Sequence, residues 1–260
     1  MNPYVPKAVE IIERHRETDD TVSYKIKWNP KHKPGQILEA SYPLIGEAPF
    51  GFASFSEDYV ELLIRSVGNV TNTLASLKKG DKIWVRGPYG NGFPMKEMEG
   101  NDVCLIAGGT GIVPVKAALE YIIKNRNRYG NVKVFFGFRS PKQLIFKRYF
   151  KNWEKDVELY VSVDRGDKTW KGHVGVVTTM LDNISFEPKS FAIICGPPVM
   201  IKFAAEKMLN KGLNESRIFV SLERLMHCGI GKCGHCMVRN VFICKDGPVF
   251  PYSIAKDLED

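Results

Sequence analysis

Along the first hundred residues, apolar and polar positions alternate with a period of two. TVSYKIKW (21–28) and DYVELLIRSV (58–67) carry the alternation, while DKIWVRG (81–87), GQILEASY (35–42) and PFGFASF (49–55) are short and β-prone. Turn signals at Lys33-Pro34-Gly35 and Lys79-Gly80-Asp81 punctuate them. About six short strands in one run predict a small antiparallel barrel. After Gly100 the period changes. Apolar runs VCLIA (103–107), VKVFFGF (132–138), VELYVSV (157–163), FAIIC (191–195) and RIFVSLE (217–223) alternate with helix-like PVKAALEYIIKN, IFKRYFKNW and MIKFAAEKMLNKG. Fully apolar strands separated by amphipathic helices predict a parallel sheet covered on both faces. The tail after Glu223 follows neither pattern and is rich in glycine and cysteine.

Composition adds little to this picture. The 260 residues are 44% hydrophobic and 25% charged, the balance of an ordinary globular chain of about two domains. No apolar run is long enough to span a membrane, and the N-terminus lacks the apolar core of a signal peptide, so a cytoplasmic protein is expected. The net charge of +8 reads either as a solvated lysine surface or as a face for an acidic electron-transfer partner. Without a basic helix or basic–aromatic motif, nucleic acid is not an expected partner.

Six cysteines in a reducing compartment point to metal or redox ligands rather than disulfides. Cys104 reads as core packing. Cys228, Cys233, Cys236 and Cys244 are spaced C-x4-C-x2-C-x7-C, with Gly229, Gly231 and Gly234 among them. Four thiolates suit a [2Fe–2S] cluster, and a four-cysteine zinc site uses the same ligand count. His227 and His235 flank the ligands and read as spectators. Glu223 and Arg224 read either as support for the cysteine loop or as a surface ion pair.

Two glycine–proline elements stand at predicted strand ends. LIAGGTGIVPVKAA (105–118) places Gly108, Gly109, Thr110 and Gly111 between a strand and a helix, with Pro114 in the first helical turn. Such a turn allows close backbone approach and offers helix N–H groups to a pyrophosphate. CGPPVM (195–200) contributes Cys195, Gly196, Pro197 and Pro198 at the end of another strand. IRSVGNVT (64–71) sets Arg65, Gly68 and the Thr71 hydroxyl before a helix, where they can hold a pyrophosphate or, for Arg65, make a surface ion pair.

GGTGIVP and CGPP behind a barrel resemble the ferredoxin–NADP reductase superfamily. Within it, GEAPFGFASF, LLIRSVGNVT, VRGPYGNGFP, SLERLMHCGIGKCGHC and ICKDGPVF resemble the B subunit of anaerobic sulfite reductase and the gamma subunit of sulfhydrogenases. The chain is similar, more remotely, to the electron-transfer subunit of dihydroorotate dehydrogenase. The x7 gap and the ending DGPVFPYSIAKDLED resemble the sulfite reductase branch most.

The resemblance implies an N-terminal antiparallel six-stranded β-barrel that binds FAD (1–98), an α/β parallel-sheet domain that binds NAD(P)H (99–222) and a small C-terminal iron–sulfur lobe (223–260). Flavin contacts are expected from Pro49, Phe50, Gly51 and Phe52, from Ile64, Arg65 and Ser66, and from Gly68, Val70 and Thr71. Cys195 is expected beside the reacting nicotinamide; its alternative is a small buried hydrophobe. Arg139 and Asp164 end two strands and are expected near the adenosine ribose, where they favour NADPH and NADH respectively. The superfamily usually places a hydroxyl where Gly51 stands, so the Gly51 N–H or the Ser54 hydroxyl is expected to substitute. The implied activity is NAD(P)H oxidation through FAD and the cluster. The implied partners are an iron–sulfur electron-transfer subunit and a catalytic sulfite reductase subunit, with a hydrogenase assembly as the alternative. A non-catalytic module stapled by zinc is a further reading.

Overall fold

In the computed structural model, which describes residues 2–258, the alternating strands form one antiparallel sheet. Its members are β1 (Lys7–Arg16), β2 (Thr21–Ile26), β3 (Ile37–Tyr42), β4 (Gly46–Gly51), β5 (Val60–Arg65) and β6 (Lys82–Tyr89), in the order β4-β3-β6-β1-β2-β5. Val9 and Ile11 of β1 join Tyr24 and Ile26 of β2, Leu38 and Ala40 of β3, and Leu62 and Ile64 of β5 in one core. Each Val, Leu or Ile side chain among them contributes about 1.5–3 kcal/mol on burial. Beyond β4, the Ala53 N–H donates to the Glu61 carbonyl at 2.9 Å, tying the two outer strands together. The sheet is thereby rolled into a barrel.

Two strand assignments differ from the sequence pattern. β1 has no counterpart among the alternating runs, because its outward residues are charged (KAVEIIERHR) and its pairing with β2 shifts register between Ile11 and Glu13. β4 covers 46–51 rather than 49–55, since the hairpin pairs Tyr42 with Gly46 and Ile37 with Gly51. Helix α1 (Asn69–Ser76) closes one end of the barrel, with Leu74 and Ala75 buried. The Tyr24 hydroxyl lies 2.8 Å from the Leu77 carbonyl and 3.0 Å from those of Leu74 and Ala75, which fixes the C-terminal end of α1.

The second sheet contains β7 (Val103–Gly108), β8 (Val132–Phe138), β9 (Glu158–Val163), β10 (His173–Val174), β11 (Phe191–Cys195), β12 (Ile218–Ser221) and β15 (Val249–Pro251), ordered β10-β9-β8-β7-β11-β12-β15. Pairs from β10 through β12 are parallel. Helix α2 (Ile112–Lys124) is buried from Ile112 to Leu119, as its nearly continuous apolar sequence requires. Helix α4 (Pro198–Asn210) follows β11. IFKRYFKNW is mostly not helical: Phe146 adopts φ 60, and only the single turn α3 (Phe150–Trp153) forms. The chain runs outward from β7 to β8 and β9, then returns to β11 on the other side of β7. The C-terminal ends of β7 and β11 therefore flank a topological switch point, where open α/β sheets bind ligands.

The chain divides into two compact units. Among the described residues, 2–93 fold with Leu222–Val249, and Pro94–Ser221 folds with 250–258. The cysteine segment thus belongs with the barrel instead of forming a third consecutive part. Residues 250–258 return to the parallel-sheet unit and carry α5 (Tyr252–Ala255).

Candidate functional site

The x7 gap of the cysteine motif is closed by a minimal hairpin. Strands β13 (Met237–Val238) and β14 (Val241–Phe242) pair Met237 with Phe242 and Val238 with Val241, and Arg239 turns the chain at φ 50. This folds Cys244 back onto Cys236: the Cys244 N–H points at Cys236 Sγ (3.5 Å), and the two free thiols are hydrogen-bonded. Cys228 and Cys233, also free thiols, form a second hydrogen-bonded pair. The loop between the pairs turns its N–H groups onto sulfur. Ile230, Lys232 and Cys233 donate to Cys228 Sγ at 3.4–3.5 Å, and Gly231 donates to Cys244 Sγ at 3.2 Å.

Gly229 makes this wrap possible. Its φ is +76, and a Cβ there would lie 2.8–3.0 Å from the Tyr89 ring. Burial raises the Cys228 thiol, but the three N–H donors outweigh it and hold the pKa at about 6. Burial and the neighbouring Cys236 thiol push Cys244 up to about 12. Backbone donors aimed at sulfur suit thiolate ligands of a metal centre, so the residues present fit an iron–sulfur group. Cys233 is exposed and Cys236 and Cys244 are buried. The rings of His227 and His235 meet each other at 3.9 Å, while Glu223 and Arg224 lie exposed. Cys104 is buried outside this set, and burial pushes its thiol up, as a core residue requires.

A charged cluster anchors the first ligand. Arg86, 5% exposed, gives its Nε to Glu47 Oε2 (2.9 Å) and its remaining N–H groups to Glu47 Oε1, the Tyr89 hydroxyl (2.8 Å), the Cys228 carbonyl (2.9 Å) and the His227 carbonyl. Opposite Arg86 in the β3–β6 register stands Glu39. It is 1% exposed, and neither carboxylate oxygen has a hydrogen-bond partner among the described residues. Burial first, then repulsion from Glu47, pushes its pKa up to about 8 against the pull of Arg86. Nothing in the sequence marked this cluster, because Glu39, Glu47, Arg86 and the 227–228 segment come together only on folding.

The expected flavin residues divide by placement. Phe52 and Ile64 are fully buried in the barrel core, and the Phe52 ring stacks on His32 at 4.1 Å. Phe50 and Val70 pack against the same core. The Ser54 hydroxyl is also committed: it is fully buried and accepts the Glu61 N–H at 2.8 Å, which removes it as a substitute for the missing flavin-side hydroxyl. Pro49 and Gly51 are half-buried, which leaves the Gly51 backbone as the candidate.

Arg65 binds Asp20 at 2.8 Å, and this contact leads the forces that lower the Asp20 pKa to about 2. The Thr71 hydroxyl accepts the N–H groups of Val67 and Gly68, both at 3.0 Å, while the Ser66 N–H donates to the Asp20 carbonyl. The side chain of Thr71 thus caps the start of α1. The Gly68 turn before α1 is open: a Cβ added at Gly68 would meet no atom within 4 Å. An open turn leading into a helix start fits the anionic part of a flavin nucleotide.

The nucleotide residues meet at the switch point. Ala107 and Cys195 are paired neighbours at the ends of β7 and β11. Gly108 ends β7, Gly109–Gly111 forms one tight turn, and Pro114 lies in the first turn of α2. A Cβ on Gly111 would collide with the Cys195 carbonyl and the Gly196 nitrogen, so α2 can start this close to β11 only from glycine. Gly109 adopts φ +55 with open space around it, and Thr110 is exposed. This is a cradle with a helix N-terminus behind it, as a pyrophosphate requires. Cys195 is buried, Gly196 half-buried, and Pro197 and Pro198 exposed, with Pro198 opening α4. Arg139 and Asp164 are both exposed just past β8 and β9, where the Asp164 N–H donates to the Phe138 carbonyl.

Residues 105–206 match the oxidoreductase NAD-binding domain, and 223–254 match the iron–sulfur cluster binding domain of dihydroorotate dehydrogenase B. The chain is 39% identical to sulfhydrogenase 1 subunit gamma of Pyrococcus furiosus, over 96% of its own length and 92% of that protein's. It is 34% identical to a probable dihydroorotate dehydrogenase B (NAD(+)) electron transfer subunit of Thermococcus kodakarensis, covering 94% and 95%. Among solved structures, it superposes on a chain of an NADH-dependent reduced ferredoxin–NADP oxidoreductase with TM-score 0.78 and 28% identity, covering 96% and 91%. Barrel, dinucleotide sheet and cysteine loop together define an oxidoreductase subunit of ferredoxin–NADP reductase fold with an iron–sulfur domain. Within that class, the chain belongs to the family of sulfhydrogenase gamma subunits and dihydroorotate dehydrogenase B electron-transfer subunits. Among the described residues, no helix is long and apolar enough to cross a membrane.

Proposed function

We propose that the chain is the electron-entry subunit of a reductase complex, oxidising NAD(P)H with FAD and passing single electrons through a [2Fe–2S] cluster to partner subunits. When bound, the flavin would take a hydride from NAD(P)H and the cluster would carry electrons onward one at a time. The protein's own residues bind and orient. The Gly108–Gly111 turn and the start of α2 hold the dinucleotide pyrophosphate, and Cys195 with Gly196 shapes the end of β11 beside it. The Gly51 backbone and the Gly68 turn serve the flavin. Arg139 and Asp164 stand at the adenosine end.

The observation that carries the cluster type is the grouping of thiols. The sulfurs come two and two, Cys228 with Cys233 and Cys236 with Cys244. Each iron of a two-iron cluster takes two such ligands.

For the catalytic partner, the x7 gap and the 246–260 ending support a sulfite reductase. Near-full-length identity to two sulfhydrogenase gamma subunits, 39% and 37%, favours the second reading, a hydrogenase-type partner. Anaerobic purification of the complex, with flavin, iron and zinc analysis, tests the first part. A flavin band and a broad cluster shoulder, both bleached by NAD(P)H, are expected; a colourless protein with stoichiometric zinc overturns the proposal. NAD(P)H-dependent sulfite reduction against hydrogen evolution, measured on the same preparation, decides the partner.

A further inference from the structure

We infer that Arg86 is a positioning residue for the iron–sulfur centre: it fixes the backbone at the first cysteine ligand, and its buried charge raises the centre's reduction potential. The inference rests on the iron–sulfur reading of the cysteine loop and adds to it a residue 142 positions away in sequence.

The first ground is donor accounting. A guanidinium has five N–H donors in a rigid fork and no acceptor. All five of Arg86 are used: two on the Glu47 carboxylate, one on the Tyr89 hydroxyl, and one each on the carbonyls of His227 and Cys228. Tyr89 is held in turn, its hydroxyl donating to the Pro3 carbonyl at 2.8 Å, and its ring lies against Gly229. The backbone on both sides of Cys228 is therefore seated on two side chains of β6. A lysine has three donors and no fork, so it cannot reproduce this seat.

The second ground is charge. Arg86 is 5% exposed, so water screens it little. Glu47, its counter-charge, is 31% exposed and more strongly screened. Glu39 is the other carboxylate beside Arg86, but neither of its oxygens has a hydrogen-bond partner among the described residues, and both carboxylate contacts of the guanidinium go to Glu47. Adding one electron to a thiolate-ligated centre adds one negative charge, with no bond made or broken. A fixed, desolvated cation at the Cys228 carbonyl stabilises the reduced form over the oxidised form.

The test is an EPR-monitored redox titration of the purified holoprotein, with iron content measured on every sample. Arg86→Gln is expected to keep its iron and to disfavour reduction about tenfold, a shift of about 59 mV to lower potential for one electron. Arg86→Lys keeps the charge and loses the fork, so its potential is expected near the wild type while its EPR lines broaden as the Cys228 backbone loosens. Glu47→Gln removes the counter-charge and is expected to shift the potential upward; it serves as the deciding variant if Arg86→Gln does not fold. An iron-replete Arg86→Gln or Glu47→Gln with wild-type potential overturns the inference while leaving the cluster intact. Zinc in place of iron in the wild type overturns the cluster reading itself.

Discussion

Replacing Glu39 by glutamine tests whether a protonated carboxyl sits inside the barrel unit. Burial is the main force moving its pKa from 4.5 to about 8, with Glu47 adding and Arg86 opposing. One pKa unit is worth about 1.4 kcal/mol, so the shift amounts to about 5 kcal/mol. The sign follows from proton counting. Between pH 4.5 and about 8 the folded protein holds a proton that the unfolded chain has released, so stability falls as pH rises through that window. Above pH 8 the loss is complete and the slope from this group disappears.

Glutamine has nearly the same shape and never ionises. Glu39→Gln is therefore expected to match the wild type near pH 4.5 and to exceed it by about 3–4 kcal/mol at pH 7, gaining about 1.4 kcal/mol per pH unit between. The assay is the urea midpoint of both holoproteins across that range, with iron content checked at each pH. All other titrating groups are shared, so only the difference between the two curves is read. Parallel curves would refute the reasoning, since they would mean that folding does not change the proton occupancy of Glu39.

Cys233→Ser is expected to abolish electron delivery to the partner while leaving much of the NAD(P)H-to-dye activity; equal loss of both would contradict a flavin-before-cluster order. Gly109→Leu must hold φ +55 at a cost of about 1–2 kcal/mol and projects into the space above the turn, so the KM for nucleotide should rise about tenfold. An unchanged KM would remove that turn from the site. Tyr24→Phe deletes the donor that secures the end of α1 and should cost about 1–3 kcal/mol by chemical denaturation, with iron content unchanged.

What was legible in the sequence was whatever is written in neighbouring residues. The period of two marked β2 and β5, short β-prone runs marked β3 and β6, the apolar runs marked the parallel strands, and cysteine spacing marked the ligand loop. β1 escaped because its outward faces carry Glu and Arg and its register slips, which blurs the alternation. The run at 145–153 has helical spacing, but a left-handed Phe146 interrupts it. At the flavin side, residue type alone could not distinguish side chains that face a ligand from Phe52 and Ile64, which face the core. The Arg86 cluster was invisible for a different reason. Its partners come from β3, β4 and the 227–228 segment, and only folding makes Glu39 an inside position.

Because each unit is assembled from two separate stretches of chain, neither can be exchanged between relatives at a single joint. A recombinant spliced at residue 221 would inherit its barrel from one parent and the carbonyls that satisfy Arg86 from the other. The same splice would pair one parent's parallel sheet with the other's closing strand, β15. The barrel, the cysteine segment and the closing strand are thus inherited together, and a splice between them separates residues that fold as one unit.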